Sequence, residues 1–332
     1  VTVAIPTLSA GPKLAECLAS LERQTLTDFE VFVIDNSGRS LAAETATRWR
    51  GVSVLENNRN LGFGAAVNQA FRRTASRYLA TLNDDAVAGP DWLCALAGAL
   101  ESRPDAGMCA SQVRLAGGTQ LDSAGMLISG DATSKQRGHL EPAEKFNEPE
   151  EVLFPSGSAA LYRRKMLDEI GLFDEDFFLY CEDTDLGLRA RWAGWTCLYA
   201  PDAIVEHHYS QTAGAASPLK AYYVERNRIF VLLKNFPASL VARAPLATLS
   251  RYFWHLAWAA EDRGSAARYR EDNASVLEMV YIAVRAHVVL LKHARRLLGQ
   301  RRQIRRTARI GVRDFEQLVA KHCISPREVA AL

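Results

Sequence analysis

The chain has 332 residues, of which 48% are hydrophobic, and 40 Lys and Arg face 38 Asp and Glu. That apolar content supports a packed core of one or two domains and excludes a disordered chain. The near-neutral balance gives no footprint for a nucleic-acid binder. The six cysteines include no close pair with redox or zinc-finger spacing, so a reducing, cytoplasmic setting is expected. No signal peptide is apparent, and no run of eighteen apolar residues marks a membrane span.

The first half alternates strands and helices. Val1 to Ile5 reads as a strand, followed by a loop from Pro6 to Gly11 and a helix from Leu14 to Leu21. Phe29 to Ile34 is a second strand, ending at Asp35, and Val52 to Leu55 a third. A Gly-containing loop, Asn57 to Gly64, leads into a helix from Ala65 to Thr74. Tyr78 to Leu82 is a fourth strand, and Pro90 suits the first turn of a helix from Trp92 to about Leu100. Strands separated by helices of this length imply an α/β fold with crossover units on a mostly parallel sheet.

In such a sheet, ligands collect beyond the carboxyl ends of the strands. Asp35 and the run Asn83-Asp84-Asp85 stand at two such ends. Asp35-Asn36-Ser37-Gly38 also satisfies the demands of a simple turn. Adjacent carboxylates suit a hard divalent ion that bridges phosphates, or a solvated loop or helix cap. Asn60-Leu61-Gly62-Phe63-Gly64 lacks the spacing of a P-loop or dinucleotide fingerprint, and a turn before a helix accounts for it.

A second cluster lies between Pro155 and His208. Gly157 and Ser158 sit in a turn entering a buried strand. Glu182-Asp183-Thr184-Asp185 follows an apolar stretch and opens a helix, where Asp183 can accept backbone N–H bonds as a cap. A carboxylate so oriented can also take a proton from a hydroxyl. His207 and His208 follow the apolar Ala203-Ile204-Val205; either is a candidate for a metal or phosphate contact, or for packing. Adjacent imidazoles point differently, so at most one is expected to touch a metal.

The last hundred residues read as helical. From Tyr281 through Arg313 there are ten Lys and Arg and no Asp or Glu. A solvated face, pairing with acidic residues elsewhere, packing or oligomerisation, and contact with anionic lipid headgroups all fit that run. Nucleic acid fits poorly, because no aromatic residues are interleaved with the arginines. Changing Arg301, Arg302, Arg305 and Arg306 is the natural probe of the cationic stretch.

Taken in order, Val3-Ala4-Ile5-Pro6-Thr7, Val33-Ile34-Asp35-Asn36-Ser37, Asn58 to Gly64, Leu82 to Asp85, Gly157-Ser158-Ala159, Phe178 to Asp185, His207 and Tyr223 to Arg228 resemble the inverting glycosyltransferases of family two. The resemblance spans about residues 1–235 and implies a nucleotide-binding GT-A fold there, with a helical region over 236–332. It implies that Pro6, Thr7, Ser9 and Asp35 hold the nucleotide and that Asn60, Gly62, Asn83 and Asp84 line the nucleotide and sugar. Asp85 becomes the direct ligand of Mg2+ or Mn2+, with Asn83 where the family's motif begins with an aspartate. His207 becomes a second metal or diphosphate contact, with His208 as runner-up. Asp183 becomes the base, supported by Gly157, Ser158, Glu182 and Asp185.

The implied activity is inverting transfer of a sugar from a nucleotide-sugar donor to a glycan or lipid-linked glycan hydroxyl. The Glu182-to-Asp185 run and the Tyr223-to-Arg228 segment look most like bacterial rhamnosyltransferases of surface-polysaccharide synthesis, with dTDP-rhamnose as donor. A UDP-hexose or UDP-galactofuranose transferase, a nucleotidyltransferase and a noncatalytic glycan-binding protein are the alternatives.

Overall fold

A computed structural model describes residues 1–46, 48–49, 51–208, 217–262, 264 and 276–331. Its chain divides into two units. The first comprises Val1–Met126, Gln136–Phe178 and Trp195–Tyr209. The second comprises Leu127–Lys135, Leu179–Gly194 and Ser210–Leu332.

The first unit opens with four parallel strands: β1 (Thr2–Thr7), β2 (Glu30–Asp35), β3 (Val52–Glu56) and β4 (Tyr78–Leu82). They are linked through α1 (Pro12–Glu22), α2 (Ala42–Ala46) and α3 (Phe63–Arg73). Val3, Ala4 and Ile5 have no exposed surface, as expected of a central strand covered on both faces. Helix α1 starts at Pro12 and buries Leu14, Cys17, Leu18 and Leu21, the spacing of a single helical stripe.

The parallel half is joined by further strands, among them the buried one that the sequence places after Gly157 and Ser158. These are β5 (Ala86–Ala88), β6 (Ala106–Leu115), β7 (Leu121–Ser123), β10 (Glu150–Val152), β11 (Ala159–Arg163) and β12 (Thr196–His207). The order across the sheet is β10-β12-β6-β11-β4-β1-β2-β3, with β5 on β12 and β7 on β6. Strand β11 runs antiparallel to both β4 and β6, whereas β12 is parallel to β6. Helices α4 (Trp92–Ser102) and α5 (Arg164–Ile170) complete the unit. Trp92 is fully buried, and its indole N–H donates to Ser111 Oγ at 2.8 Å. The α/β class and the helical carboxyl-terminal region are as the sequence implies.

The second unit is largely helical: α6 (Glu182–Trp192), α7 (Pro218–Asn235), α8 (Ala238–Ala260), α9 (Val276–Arg306), α10 (Val312–Lys321) and α11 (Pro326–Ala331). Residues 127–135 carry most of a hairpin between β8 (Met126–Ile128) and β9 (Ser134–Gln136). The Trp192 and Phe315 rings stack with centroids 4.0 Å apart, and the Trp192 indole donates to Asn235 O at 2.9 Å.

Buried ions organise this unit. Asp131 and Glu225 are buried with Arg228 and Arg251; Arg251 Nε donates to Asp131 at 2.7 Å, and its NH2 group donates to Glu225 at 2.9 Å. Arg228 and Tyr252 also donate to Glu225. Each charge thus has a partner, which is the condition for keeping it out of water.

The basic run of α9 is divided between interior and surface. Arg301 donates to the carbonyls of Leu233, at 2.9 Å, and Phe236. Arg305 donates to Asn235 O at 2.9 Å and lies 3.4 Å over the Trp192 ring. These carbonyls close α7, where a cation also meets the negative end of the helix dipole. Two of the four arginines chosen from sequence as surface probes are therefore structural, which corrects that choice. Arg302 and Arg306 are exposed.

Candidate functional site

In the first unit the site grows from the carboxyl end of β4. The backbone N–H of Asn83 donates to Ser158 O at 2.8 Å, which ties the Asn83-Asp84-Asp85 turn to the segment entering β11. Ser156 and Ser158 hydroxyls lie 3.0 Å apart in that segment. Beyond the turn, β5 pairs antiparallel with β12 so that His207 stands opposite Ala86. The His208 N–H donates to Asp85 O at 3.1 Å, closing the ladder. A histidine far along the chain is thereby fixed beside the aspartate.

Nε2 of His207 is 3.1 Å from Asp85 Oδ1 and 3.2 Å from the Asn83 side-chain amide. Its other nitrogen, Nδ1, is 2.8 Å from Asp122 Oδ2. Asp122 comes from β7, which β6 holds in antiparallel register, and it is 3.5 Å from His139 Nδ1 as well. Burial works against a charged imidazole. The hydrogen bonds and charges of Asp122 and Asp85 outweigh it and push His207 up to about 9.

Asp84 differs from Asp85. Burial pushes its carboxyl up to about 6; the Thr7 hydroxyl opposes that rise and the Asp85 charge adds to it. Thr7 Oγ1 donates to Asp84 and accepts the Ser9 N–H at 3.1 Å. The loop after β1, with Thr7 and Ser9, is thus bound to the turn after β4. Pro6 pairs in register with Ile34, and Thr7 with Asp35.

Asp35 is buried, with Oδ1 accepting the Ser37 N–H at 2.8 Å and Oδ2 the Ala42 N–H at 2.7 Å. Burial raises its pKa, but these bonds more than compensate and leave it below the ordinary value. Its turn-forming role is therefore realised. Asn36 then reaches across: its amide donates to Gly62 O at 3.1 Å and accepts from Asn57 at 2.8 Å. Asn60 Oδ1 accepts the Gly62 N–H at 2.8 Å. Gly62 has φ of +89°, and a Cβ there would lie 2.2 Å from Phe178 O, so its requirement is close backbone approach.

Among the described residues, no three His, Cys, Asp or Glu converge into a closed metal cage. Asp122 cannot join one with His207 Nε2, because it occupies the opposite nitrogen. Asp85 and His207 still fit a divalent ion, which would take the place of the Nε2 proton. Neighbouring donors about 2.1 Å from an octahedral ion are about 3 Å apart, and these two are separated by 3.1 Å. A two-residue donor set suits an ion completed by substrate oxygens rather than a closed structural site.

In the second unit, Asp183 does not cap α6, contrary to its sequence reading. Cys181 is the N-cap, in the left-handed conformation at φ of 64°, and Asp183 lies inside the first turn. Asp183 Oδ1 accepts from the Thr184 N–H at 2.6 Å and the Thr184 hydroxyl at 3.2 Å. Tyr180 is left-handed too, at φ of 68°. Two successive non-glycine residues in that region store strain. Asn227 holds the segment in place by donating to Leu179 O at 2.8 Å and Tyr180 O at 2.7 Å.

Glu182 is buried beside Asp183, and its Oε2 has no hydrogen-bond partner among the described residues. Burial, and then the Asp183 charge, push its carboxyl well above the usual range. Asp185 is wholly buried: it accepts from Arg189 Nε, Lys234 Nζ and Asn235 Nδ2, each at 2.9 Å. It fastens α6 to the end of α7. His208, the runner-up to His207, turns elsewhere; its Nε2 is 4.0 Å from Glu16.

Residues 2–171 match the model of the family described as glycosyl transferase family 2. An N-acetylglucosaminyl-diphospho-decaprenol L-rhamnosyltransferase of Mycobacterium tuberculosis is 32% identical over 248 residues, 65% of this chain and 79% of the relative. The O-antigen chain rhamnosyltransferase RfbN of Salmonella typhimurium is 24% identical over 64% of this chain and 67% of its own. Among solved structures, GalNAc-T7 with UDP, GalNAc and Mn2+ superposes with a TM-score of 0.60 at 17% identity, over 75% of this chain and half of that one. The mannosyltransferase PcManGT of Pyrobaculum calidifontis, with GDP-Man and Mn2+, gives 0.51 at 17% identity, over 91% of this chain and 84% of that one. These two likenesses concern the fold.

Proposed function

We propose that this chain, which belongs to glycosyl transferase family 2, transfers rhamnose from dTDP-rhamnose to a hydroxyl of a glycan or lipid-linked glycan, with inversion at the anomeric carbon. The observation that carries the reading is the Asp85–His207 pair, fixed by Asp122 at the carboxyl end of β4. The named activities of the two rhamnosyltransferase relatives support the choice of donor sugar. The first of those names also favours a lipid-linked acceptor.

In this reading Asp85 and His207 would hold a divalent cation, Mg2+ or Mn2+, which when bound would supply positive charge to offset that of the nucleoside diphosphate. Pro6, Thr7, Ser9 and Asp35 bound the nucleotide, and Asn60, Gly62, Asn83 and Asp84 shape its surroundings. Asp183 takes the proton from the acceptor hydroxyl, whose oxygen forms the new glycosidic bond as the bond to the diphosphate oxygen breaks. Burial, and then the Asp183 charge, favour the protonated form of Glu182 beside Asp183. Gly157, Ser158 and Asp185 support the acceptor side by holding the backbone. Residues 1–235 act as the transferase domain and 236–332 as a helical accessory region, working at the cytoplasmic face of the membrane.

A donor screen tests this function. The purified chain is incubated with dTDP-rhamnose, UDP-glucose, UDP-galactose or UDP-galactofuranose, and a lipid-linked glycan acceptor. Mg2+, Mn2+ or a chelator is present, and nucleoside diphosphate release is read. Acceptor-dependent dTDP release that the chelator abolishes is expected. Turnover of UDP-sugars alone would replace the donor assignment, and release of pyrophosphate from a nucleoside triphosphate and a sugar phosphate would replace the reaction.

A further inference from the structure

Two helices of the second unit expose apolar stripes opposite the faces they bury. On α8, the inner face includes Ala244, Arg251 and Ala259. Leu246, Leu249, Phe253 and Leu256, spaced by three and four residues, are exposed; Leu246 retains 73% of its surface and Phe253 63%. On α9, Ile282, Ala286, Leu297 and Ile304 are buried. Tyr281, Val284, Val288 and Leu291 repeat the same spacing on the outside, and Leu291 is 79% exposed. Both stripes therefore follow the helical repeat rather than scattering over the surface.

Charge selects their occupant. Helix α8 contains no Asp or Glu, and its Arg243 is exposed near the stripe. On α9, the inward-facing Arg301 and Arg305 are committed to the end of α7, whereas Lys292, Arg295, Arg302 and Arg306 remain exposed. A second copy presenting the same face would oppose cation to cation. Nucleic acid would satisfy the cations and leave the leucines and valines in water. An anionic bilayer meets both demands, with apolar side chains at the headgroup boundary and basic ends on lipid phosphates.

We infer that the exposed face of α9 is a peripheral docking surface for anionic lipid bilayers, with Val284, Val288 and Leu291 as apolar anchors and Lys292, Arg295 and Arg302 as headgroup contacts. The contact is peripheral: no helix among the described residues is long and apolar enough to cross a membrane. The surface deepens the proposed lipid-linked acceptor and rests on that reading for its purpose, though its geometry stands apart. It would hold the enzyme where a lipid-borne acceptor is concentrated.

Co-sedimentation of the full chain tests it, using phosphatidylcholine vesicles and vesicles of phosphatidylcholine mixed with phosphatidylglycerol. No donor or acceptor is present, so the result is independent of the donor screen. Selective binding to the anionic vesicles is expected, weakened by added salt. The triple variant Lys292→Ser, Arg295→Ser, Arg302→Ser should lower partitioning by about two powers of ten. The triple variant Val284→Ser, Val288→Ser, Leu291→Ser should also lose binding. Circular dichroism checks that both variants fold, as substitution of exposed side chains predicts. Equal, negligible binding to both vesicle types would overturn the inference. So would binding untouched by either variant, or self-association in sedimentation velocity that the apolar variant abolishes without any vesicle binding.

Discussion

Asp122 holds Nδ1 of His207 at 2.8 Å, and this contact turns Nε2 of the same ring towards Asp85. Carboxylates placed this way behind a metal-binding histidine fix the ring and raise its basicity. Asp122→Ala should therefore weaken Mn2+ binding in the presence of a nucleoside diphosphate by roughly 10–100-fold. Isothermal titration measures this without turnover, and circular dichroism should show the fold retained. Unchanged Mn2+ affinity in a folded variant would remove Asp122 from the site.

The two faces of α9 predict opposite responses to the same substitution. Arg301→Ala and Arg305→Ala each uncap carbonyls at the end of α7, and the second also exposes Trp192. Charged hydrogen bonds of this kind contribute about 1.5–3 kcal/mol each, so both variants should melt several degrees lower than the parent. Arg302→Ala and Arg306→Ala, at exposed positions, should leave the melting temperature within error. Equal effects at all four positions would contradict the division of the helix.

That division marks what the sequence could carry. Positions 297, 301, 304 and 305 fall on one helical face, so Leu297 and Ile304 could have flagged Arg301 and Arg305 as inward-facing; the count of ten cations concealed it. The parallel strands β1 to β4 and Asp85 at the end of β4 were legible because apolar runs and helical spacing alternate there. Strands β5, β7 and β10 have three residues each, too few to show a period of two. Asp122 sits on one of them as a lone acidic residue, and only the β6–β7 and β6–β12 pairings bring it to His207. The acidic run at 182–185 was visible, but its division into a buried carboxyl, a first-turn carboxylate and an ion-paired hub depends on packing.

Glu182 gives a prediction in pH. Its pKa is raised in the fold above the unfolded value. The unfolded chain releases this proton first as pH rises, so the folded state loses stability from the unfolded pKa up to the folded one. Glu182→Gln has no proton to release. Its stability relative to the parent should rise by roughly 1–3 kcal/mol between about pH 5 and pH 8. Urea denaturation at several pH values measures the difference. A difference that stays flat, or that reverses, would mean Glu182 ionises in the fold.

The most direct test of the mechanism is Asp183→Asn, which keeps the side chain's size but removes its basicity. The measurement is single-turnover transfer from dTDP-rhamnose to a lipid-linked glycan in the presence of Mn2+, with donor affinity determined in parallel. Donor binding should match the parent, and transfer should fall by roughly two to four powers of ten. An Asp183→Asn enzyme that transfers at the parental rate would contradict the account.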